Sequence, residues 1–436
     1  MISLTLEEVA RLAPGELRAA EGAERVTGLT VDSRSVAAGD LFVAVGRGTE
    51  YVDDALAAGA GAALVPEDAF AALAAVARAV RERSSACVVA ITGSIAKTST
   101  KDILGALCKP HARTVVAEGS QNNEVGLPLT LGRLEDDTEI AIVEMGMRGL
   151  GQISELCETA QPQIGVITKI GPVHLELLGT VERVARAKAE LIRALPPGGT
   201  AVVRAGDPLL DPYLTRKDID VLRFGPGGDV QLVSFTPAGN EARLEVDAFG
   251  ERLELTFPFT SRYNGANALA ALAAYRALGL PLADAGRGAR DVKLSRWRGE
   301  EAPLPGDGLL INDAYNANPL SMVAALEHLA ARAGGRRKVA VLGDMAELGP
   351  GAAAYHREVG ATAARLGVDV LVAVGPLSRG YLEGARGIAE TRWAPTVQAG
   401  LAAVRSLLRP GDCVLVKGSR AIGLEALADA LAVVAA

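Results

Sequence analysis

Beyond residue 86, apolar residues come in short solid runs, and the stretches between them carry apolar residues at every third or fourth position. Solid runs suit strands buried on both faces of a parallel sheet, and the wider spacing suits the helices that cover it. The runs predict strands at Val88 to Ile91, Ile140 to Val143, Ile164 to Ile170 and Thr200 to Val203, and again at Leu309 to Ile311, Val339 to Leu342, Val370 to Val374 and Cys413 to Val416. Between Val221 and Phe257 the period drops to two: Leu244, Val246, Leu253, Leu255 and Phe257 alternate with polar residues around Pro237-Ala238-Gly239-Asn240. That stretch reads as antiparallel hairpins appended to the sheet, and a helix over Asn264 to Leu278 follows it. Earlier in the chain, extended runs at Leu41 to Val45 and Ala62 to Val65 precede an alanine-rich helix ending in Arg81-Glu82-Arg83-Ser84-Ser85.

That charged stretch and Pro303-Leu304-Pro305-Gly306-Asp307-Gly308 read as linkers. They divide an α/β chain into three domains: a small N-terminal α/β domain over 1–83, a central P-loop parallel-sheet domain with appended antiparallel strands over 84–302, and a C-terminal Rossmann-like domain over 303–436. A chain of 436 residues exceeds what a single core supports, which agrees with the division. Four cysteines, Cys87, Cys108, Cys157 and Cys413, lie far apart in apolar surroundings and read as reduced core residues, so neither a disulfide framework nor a zinc site is expected. A net charge of −7 argues against a nucleic-acid surface, and no stretch is apolar enough to predict a signal peptide or membrane insertion. A cytoplasmic protein is expected.

Candidate chemistry begins where the run Cys87 to Ile91 ends, at Gly93-Ser94-Ile95-Ala96-Lys97-Thr98-Ser99. A loop between a strand and a helix can cradle phosphates with its backbone N–H groups, a lysine can reach the outer phosphates, and a hydroxyl can take Mg²⁺. Lys97 and Thr98 stand at those two places, although Ile91 and Ala96 replace two glycines of the full P-loop pattern; an ordinary strand-to-helix turn is the competing reading. Ligands of open parallel sheets sit beyond the carboxyl ends of the strands, where Glu144 and His174 fall. A carboxylate and an imidazole there suit a metal at a triphosphate, while a capping acid and a hydrogen-bonded turn histidine are the plain alternatives. Lys188 lies on the apolar stripe of a helix with Val181, Val184, Ala185 and Leu191, which fits either a snorkelling side chain or a desolvated amine made nucleophilic.

Taken with Asn122-Asn123-Glu124-Val125-Gly126, Glu144-Met145-Gly146, His174-Leu175-Glu176 and Ala187-Lys188-Ala189-Glu190, the phosphate loop resembles the Mur ligase family. Asp313-Ala314-Tyr315-Asn316-Ala317-Asn318-Pro319 and Gly343-Asp344-Met345-Ala346-Glu347-Leu348-Gly349 are similar to the members that add a dipeptide. The resemblance covers nearly the whole chain, including Asp32-Ser33-Arg34 and Val416-Lys417-Gly418-Ser419-Arg420. It implies an ATP-dependent ligase joining D-alanyl-D-alanine to UDP-N-acetylmuramoyl-tripeptide through an acyl phosphate, with Mg²⁺ as cofactor and a monomer as the working unit.

Residue by residue, the resemblance implies that Gly93 to Ser99 hold the nucleotide's phosphates, with Lys97 on the outer ones. Thr98, Glu144 and His174 would ligate metal, joined by Lys188 after it reacts with CO₂ to become a carbamate. Asn264 and Asn267 would lie at the base, with Tyr263 where many members have histidine, and Arg298 and Asp313 would reach the nucleotide on domain closure. Ser33 and Arg34 would bind the uridine end of the precursor, Asn122 and Asn123 its muramoyl-peptide, and Asn316 and Asn318 would sit near the reacting groups. Apart from the resemblance, the Asn316 to Pro319 run reads as a turn, Asp32-Ser33-Arg34 as a cap, and Lys417 to Arg420 as a cationic loop. Lys169 departs from the family, where asparagine is common. A ligase that adds a single amino acid, a folylpolyglutamate synthase and a non-catalytic nucleotide-binding module are the alternatives.

Overall fold

The computed structural model describes residues 1–432, so the last four residues of the expected third domain lie outside it. Three main sheets follow one another along the chain. The first orders four strands as Gly15–Ala19, Ala62–Pro66, Asp40–Val43 and Gly28–Thr30. The second has nine strands: Glu251–Phe257, Glu241–Ala248, Val230–Ala238, Asp220–Phe224, Thr200–Arg204, Ile164–Ile167, Cys87–Thr92, Ile140–Glu144 and Thr114–Val116. Pairing is parallel from Thr114–Val116 through Asp220–Phe224 to Val230–Ala238, and the last two pairs are antiparallel, so the expected hairpins begin at Val230 and residues 221–224 belong to a parallel strand instead.

Solid apolar strands form here because both faces are covered. In Cys87–Thr92, Val88 and Ala90 point to one core and Val89 and Ile91 to the other. The second core is closed by the helices Lys97–Cys108 and Arg262–Ala277. The first is shared: Leu73, Val76 and Val80 of the helix Ala69–Arg83 pack with Leu41 and Leu64 of the first sheet and with Val88, Ala141 and Val143 of the second. Continuous burial of this kind stabilises by about 25 cal/mol per Å² of apolar surface and ties the N-terminal part firmly to the middle of the chain.

The third sheet orders Glu300–Leu304, Gly308–Asn312, Cys413–Lys417, Lys338–Gly343, Val370–Val374 and Glu390–Ala394, all parallel except the first pair. Neither expected linker is a free connection. Residues 303–308 belong to a hairpin in which Leu304 pairs with Gly308, so the third sheet already begins at Glu300. Residues 81–83 are the last turn of a helix, and Arg81 is buried, donating from Nε to the Ala160 carbonyl at 3.0 Å and from Nη1 to that of Ser84 at 2.9 Å. The helix expected from Val181 to Leu191 is two, Val181–Lys188 and Glu190–Ala194, joined at Ala189. All four cysteines are free thiols. No described helix is long and apolar enough to cross a membrane.

Candidate active site

The strand Cys87–Thr92 lies in the middle of its sheet and delivers the loop 93–96 to the N-terminus of the helix Lys97–Cys108. Gly93 has φ 153°, and a Cβ there would lie 1.9 Å from the Thr168 hydroxyl, so only glycine fits. Thr168 in turn donates to the Ile95 carbonyl at 2.6 Å, while the Ser94 N–H donates to the Lys169 carbonyl at 2.7 Å. Lys169 therefore supports the loop through its backbone, which its unusual side chain leaves unchanged. Ala96 adopts φ 69° and ψ −3°, the left-handed geometry that a glycine would take more readily. Lys97 curls over the loop and donates to the Gly93 carbonyl at 3.0 Å. Burial lowers its pKa, an effect that Glu144 opposes and Arg298 reinforces.

Neighbouring strand ends add the other groups. Glu144 closes the strand Ile140–Glu144 and is buried; Oε1 accepts from Asn122 Nδ2 at 2.7 Å, whereas Oε2 is buried with no hydrogen-bond partner. His174 stands at the start of the short helix Leu175–Leu178 with φ 52°. Its pKa is lowered by burial, against the pull of Glu347, whose carboxylate contacts Nδ1. Lys188 is 1% exposed, and its pKa lies well below the lysine range, first through burial and then through the charge of Lys97, with Glu144 opposing. The snorkelling alternative fails, because a snorkelling lysine would expose its end to solvent, whereas Lys188 is buried and lines the same cavity as the phosphate loop.

The third sheet closes the site from the other side. Arg298 Nη2 donates to Thr98 Oγ1 at 3.0 Å, and the guanidinium carbon lies 3.9 Å from the centre of the Tyr315 ring. The Tyr315 hydroxyl also contacts Ser120 of the middle part. Asp313 forms a buried ion pair with Lys417 at 2.6 Å, and Lys417 donates to the Asn316 carbonyl at 2.9 Å. Burial lowers the Lys417 pKa, with Asp313 opposing.

These groups meet around one cavity of about 910 Å³. Ser94, Ile95, Ala96, Lys97, Thr98 and Ser99 line it, as do Asn122, Asn123, Glu144, His174, Lys188, Asn267, Arg298, Asp313, Asn316 and Asn318. Gly93 and Asn264 stand behind the lining. Asn264 is buried, donating to Ser261 Oγ at 2.8 Å and accepting from Asn267 at 2.9 Å, so it acts on the cavity through Asn267. Ser33 and Arg34 do not line it. They form a single 3-10 turn capped by Asp32, whose carboxylate also pairs with the exposed Arg34. Asn318 has a structural task as well: it caps the helix Pro319–Ala333 in a reciprocal box with Ser321.

Sequence reasoning places Tyr315, Lys417 and Arg420 within the resembling segments but gives them no site role, and it passes over Arg148; all four line the cavity. Lys417 had a readable signal, since it ends the solid run from Cys413 just as Glu144 ends its own strand. The chemistry such a cavity supports is phosphoryl transfer: lysines and an arginine for phosphate charge, and oxygen and nitrogen donors for a hard cation. Among the described residues, no group of three His, Cys, Asp or Glu side chains is close enough to hold a metal alone. Glu144 Oε2, buried without a partner on the cavity that Thr98 also lines, fits Mg²⁺, which commonly takes one or two carboxylates and completes its shell with phosphate oxygens and water.

Residues 91–275 match the Mur ligase middle domain and residues 298–420 the Mur ligase glutamate ligase domain. The chain is 34% identical to a UDP-N-acetylmuramoyl-tripeptide--D-alanyl-D-alanine ligase of Synechocystis sp. over 433 residues, covering 93% of this chain and 92% of the relative. Among solved structures it resembles MurF from Acinetobacter baumannii with a TM-score of 0.86, at 28% identity and 99% coverage of both chains. It also resembles MurF ligase from Thermotoga maritima in complex with ADP, with a TM-score of 0.80, 27% identity and coverage of 94% of this chain and 98% of that one.

Proposed function

This chain belongs to the Mur ligase family, and from that premise we propose how its cavity works. It is an ATP-dependent ligase that joins D-alanyl-D-alanine to UDP-N-acetylmuramoyl-tripeptide in peptidoglycan synthesis. The observation that carries the mechanism is the convergence of Lys97, Glu144, His174 and Lys188 with Arg298, Asp313 and Lys417 on one cavity between two sheets.

A free carboxylate does not accept an amine in water, because its oxygen is a poor leaving group. The tripeptide's terminal carboxylate therefore attacks the γ-phosphorus of ATP, the bond to the bridging oxygen breaks, and ADP leaves. The dipeptide's neutral amine then adds to the acyl phosphate carbon, the tetrahedral intermediate expels inorganic phosphate, and the nitrogen loses its proton. Lys97 and Arg298 face the charge that builds on the transferred phosphoryl group, in a buried setting where such attraction is strong. Thr98, Glu144 and His174 would hold Mg²⁺, which supplies charge neutralisation at the phosphates when bound. Lys188, whose protonated form burial disfavours, would attack CO₂ through its amine; an N–C bond would form, one proton would be released, and the resulting carbamate would add a negative ligand to the cavity lined by Glu144.

Asn267 would meet the base. Asn122, Asn123, Asn316 and Asn318 would meet the peptide ends, and the first sheet, with Ser33 and Arg34, would meet the uridine end. A monomer is the proposed working unit, and the demand for ATP supports a cytoplasmic location. Phosphate release, measured with ATP, UDP-tripeptide and dipeptide omitted in turn, tests the mechanism. Rapid release is expected only with all three, because the closed cavity shields the acyl phosphate from water. Equal release with ATP alone, or with one amino acid replacing the dipeptide, would overturn it.

A further inference from the structure

Glu347 comes from the loop after the strand Lys338–Gly343 of the third sheet, yet its side chain reaches across to the middle of the chain. Oε2 contacts His174 Nδ1, and Oε1 lies 3.6 Å from Arg148 Nε, beyond the strand that ends at Glu144. The backbone joins in, since the Glu347 carbonyl accepts from the Glu176 N–H at 3.2 Å. Gly349 packs so closely that a Cβ there would lie 3.3 Å from the Glu176 Cα. Both partners are held in left-handed backbone geometry, His174 at φ 52° and Glu347 at φ 62°. For residues with a Cβ this geometry is strained and persists where surrounding structure imposes it.

An imidazole has two nitrogens, and a carboxylate on one decides what the other can do. A carboxylate can only accept, so Nδ1 keeps its proton and donates it in a hydrogen bond to Glu347, which leaves the lone pair on Nε2, on the ring that lines the cavity with Lys97, Glu144 and Lys188. We propose that Glu347 is a positioning residue for the ligase reaction: it fixes the tautomer and orientation of His174 for a cation at the phosphates, and it does so only while the third sheet is docked on the second. The inference rests on the ligase reading and adds to it a direct link between domain docking and completion of the cation site. Arg148 adds a longer, solvent-exposed charge contact to the second oxygen of Glu347.

The test is Mn²⁺ affinity, followed by electron paramagnetic resonance, in the presence of a non-hydrolysable ATP analogue. Glu347→Ala is expected to weaken Mn²⁺ binding about tenfold to a hundredfold, with the analogue's own affinity in metal-free buffer unchanged. Glu347→Gln, which keeps an acceptor oxygen, should lose less. The double variant His174→Ala with Glu347→Ala should bind Mn²⁺ no more weakly than His174→Ala alone, since Glu347 acts through the histidine. Unchanged Mn²⁺ affinity in Glu347→Ala, with thermal unfolding showing a folded protein, overturns the inference, and so do additive losses in the double variant. Wild-type protein that binds Mn²⁺ no better with the nucleotide than without it overturns the ligase reading itself, and this inference with it.

Discussion

Ala96 holds a conformation that costs an L-residue with a Cβ about 1–2 kcal/mol, at the point where the phosphate loop enters its helix. Ala96→Gly removes that strain but frees the unfolded chain, which offsets about 0.5–1 kcal/mol. A small net rise in the urea unfolding midpoint is expected, with ATP binding kept; a clear fall in the midpoint would mean that the alanine is not strained. Lys188 gives a second residue-scale prediction. Lys188→Ala should be almost inactive, and a short carboxylic acid should restore part of the rate by replacing the carbamate. Lys188→Met should also be inactive, yet more stable than the parent protein at neutral pH in CO₂-depleted buffer. The sign follows from the lowered pKa. Between the folded and unfolded pKa the unfolded chain binds more protons, so the parent's stability rises with pH. The advantage of Lys188→Met should therefore shrink toward alkaline pH, and an advantage that grows would refute the buried amine.

The helix that follows the phosphate loop also anchors Arg298. Lys101 is buried, with its ammonium 2.6 Å from Asp102 Oδ1 and 2.6 Å from the Ala117 carbonyl. Asp102 Oδ2 accepts from both the N–H and the hydroxyl of Ser295, at 2.8 and 2.9 Å, three residues before Arg298. Asp102→Ala leaves the lysine charge buried without its counterion, a loss of about 3–5 kcal/mol. Adding Lys101→Met should recover much of it in denaturant unfolding, and a double variant no better than the single would remove the ion pair from the account. At this same scale, strands buried on both faces were legible as apolar runs: Val370–Val374 lies where its run predicts. Gly15–Ala19, Asp220–Phe224 and Glu390–Ala394 were not, because at most one position in each is buried and polar residues stand among the open ones. Gly15–Ala19 and Glu390–Ala394 are edge strands and Asp220–Phe224 lies between two others, so it is partial burial rather than edge position that the three share.

The first two parts of the molecule share an apolar core, whereas at the cavity the third part meets the second through aromatic and charged contacts. Tyr315 carries two of them, the stacked Arg298 and the contact with Ser120. Tyr315→Phe keeps the stack and should retain most activity. Tyr315→Ala removes an arginine–aromatic interaction of about 1–2 kcal/mol in a partly desolvated site, and kcat/KM for ATP should fall about tenfold. Equal effects of the two replacements would move the weight from the ring to the hydroxyl.

Sequence alone determined the three α/β parts and the strand-end positions of Lys97, Glu144 and His174, because burial period and strand termini are local properties of the chain. It also showed Lys188 as a polar residue on an apolar helix face. Tertiary structure decided which of these side chains meet. His174 and Glu347 are 173 residues apart, and Asp313 and Lys417 are 104 apart. Their contact depends on strand order, with Cys413–Lys417 inserted between Gly308–Asn312 and Lys338–Gly343, and on how the third sheet docks on the second. Periodicity records that a strand is buried but not which neighbour buries it, since any solid apolar run satisfies any interior position of a parallel sheet equally well.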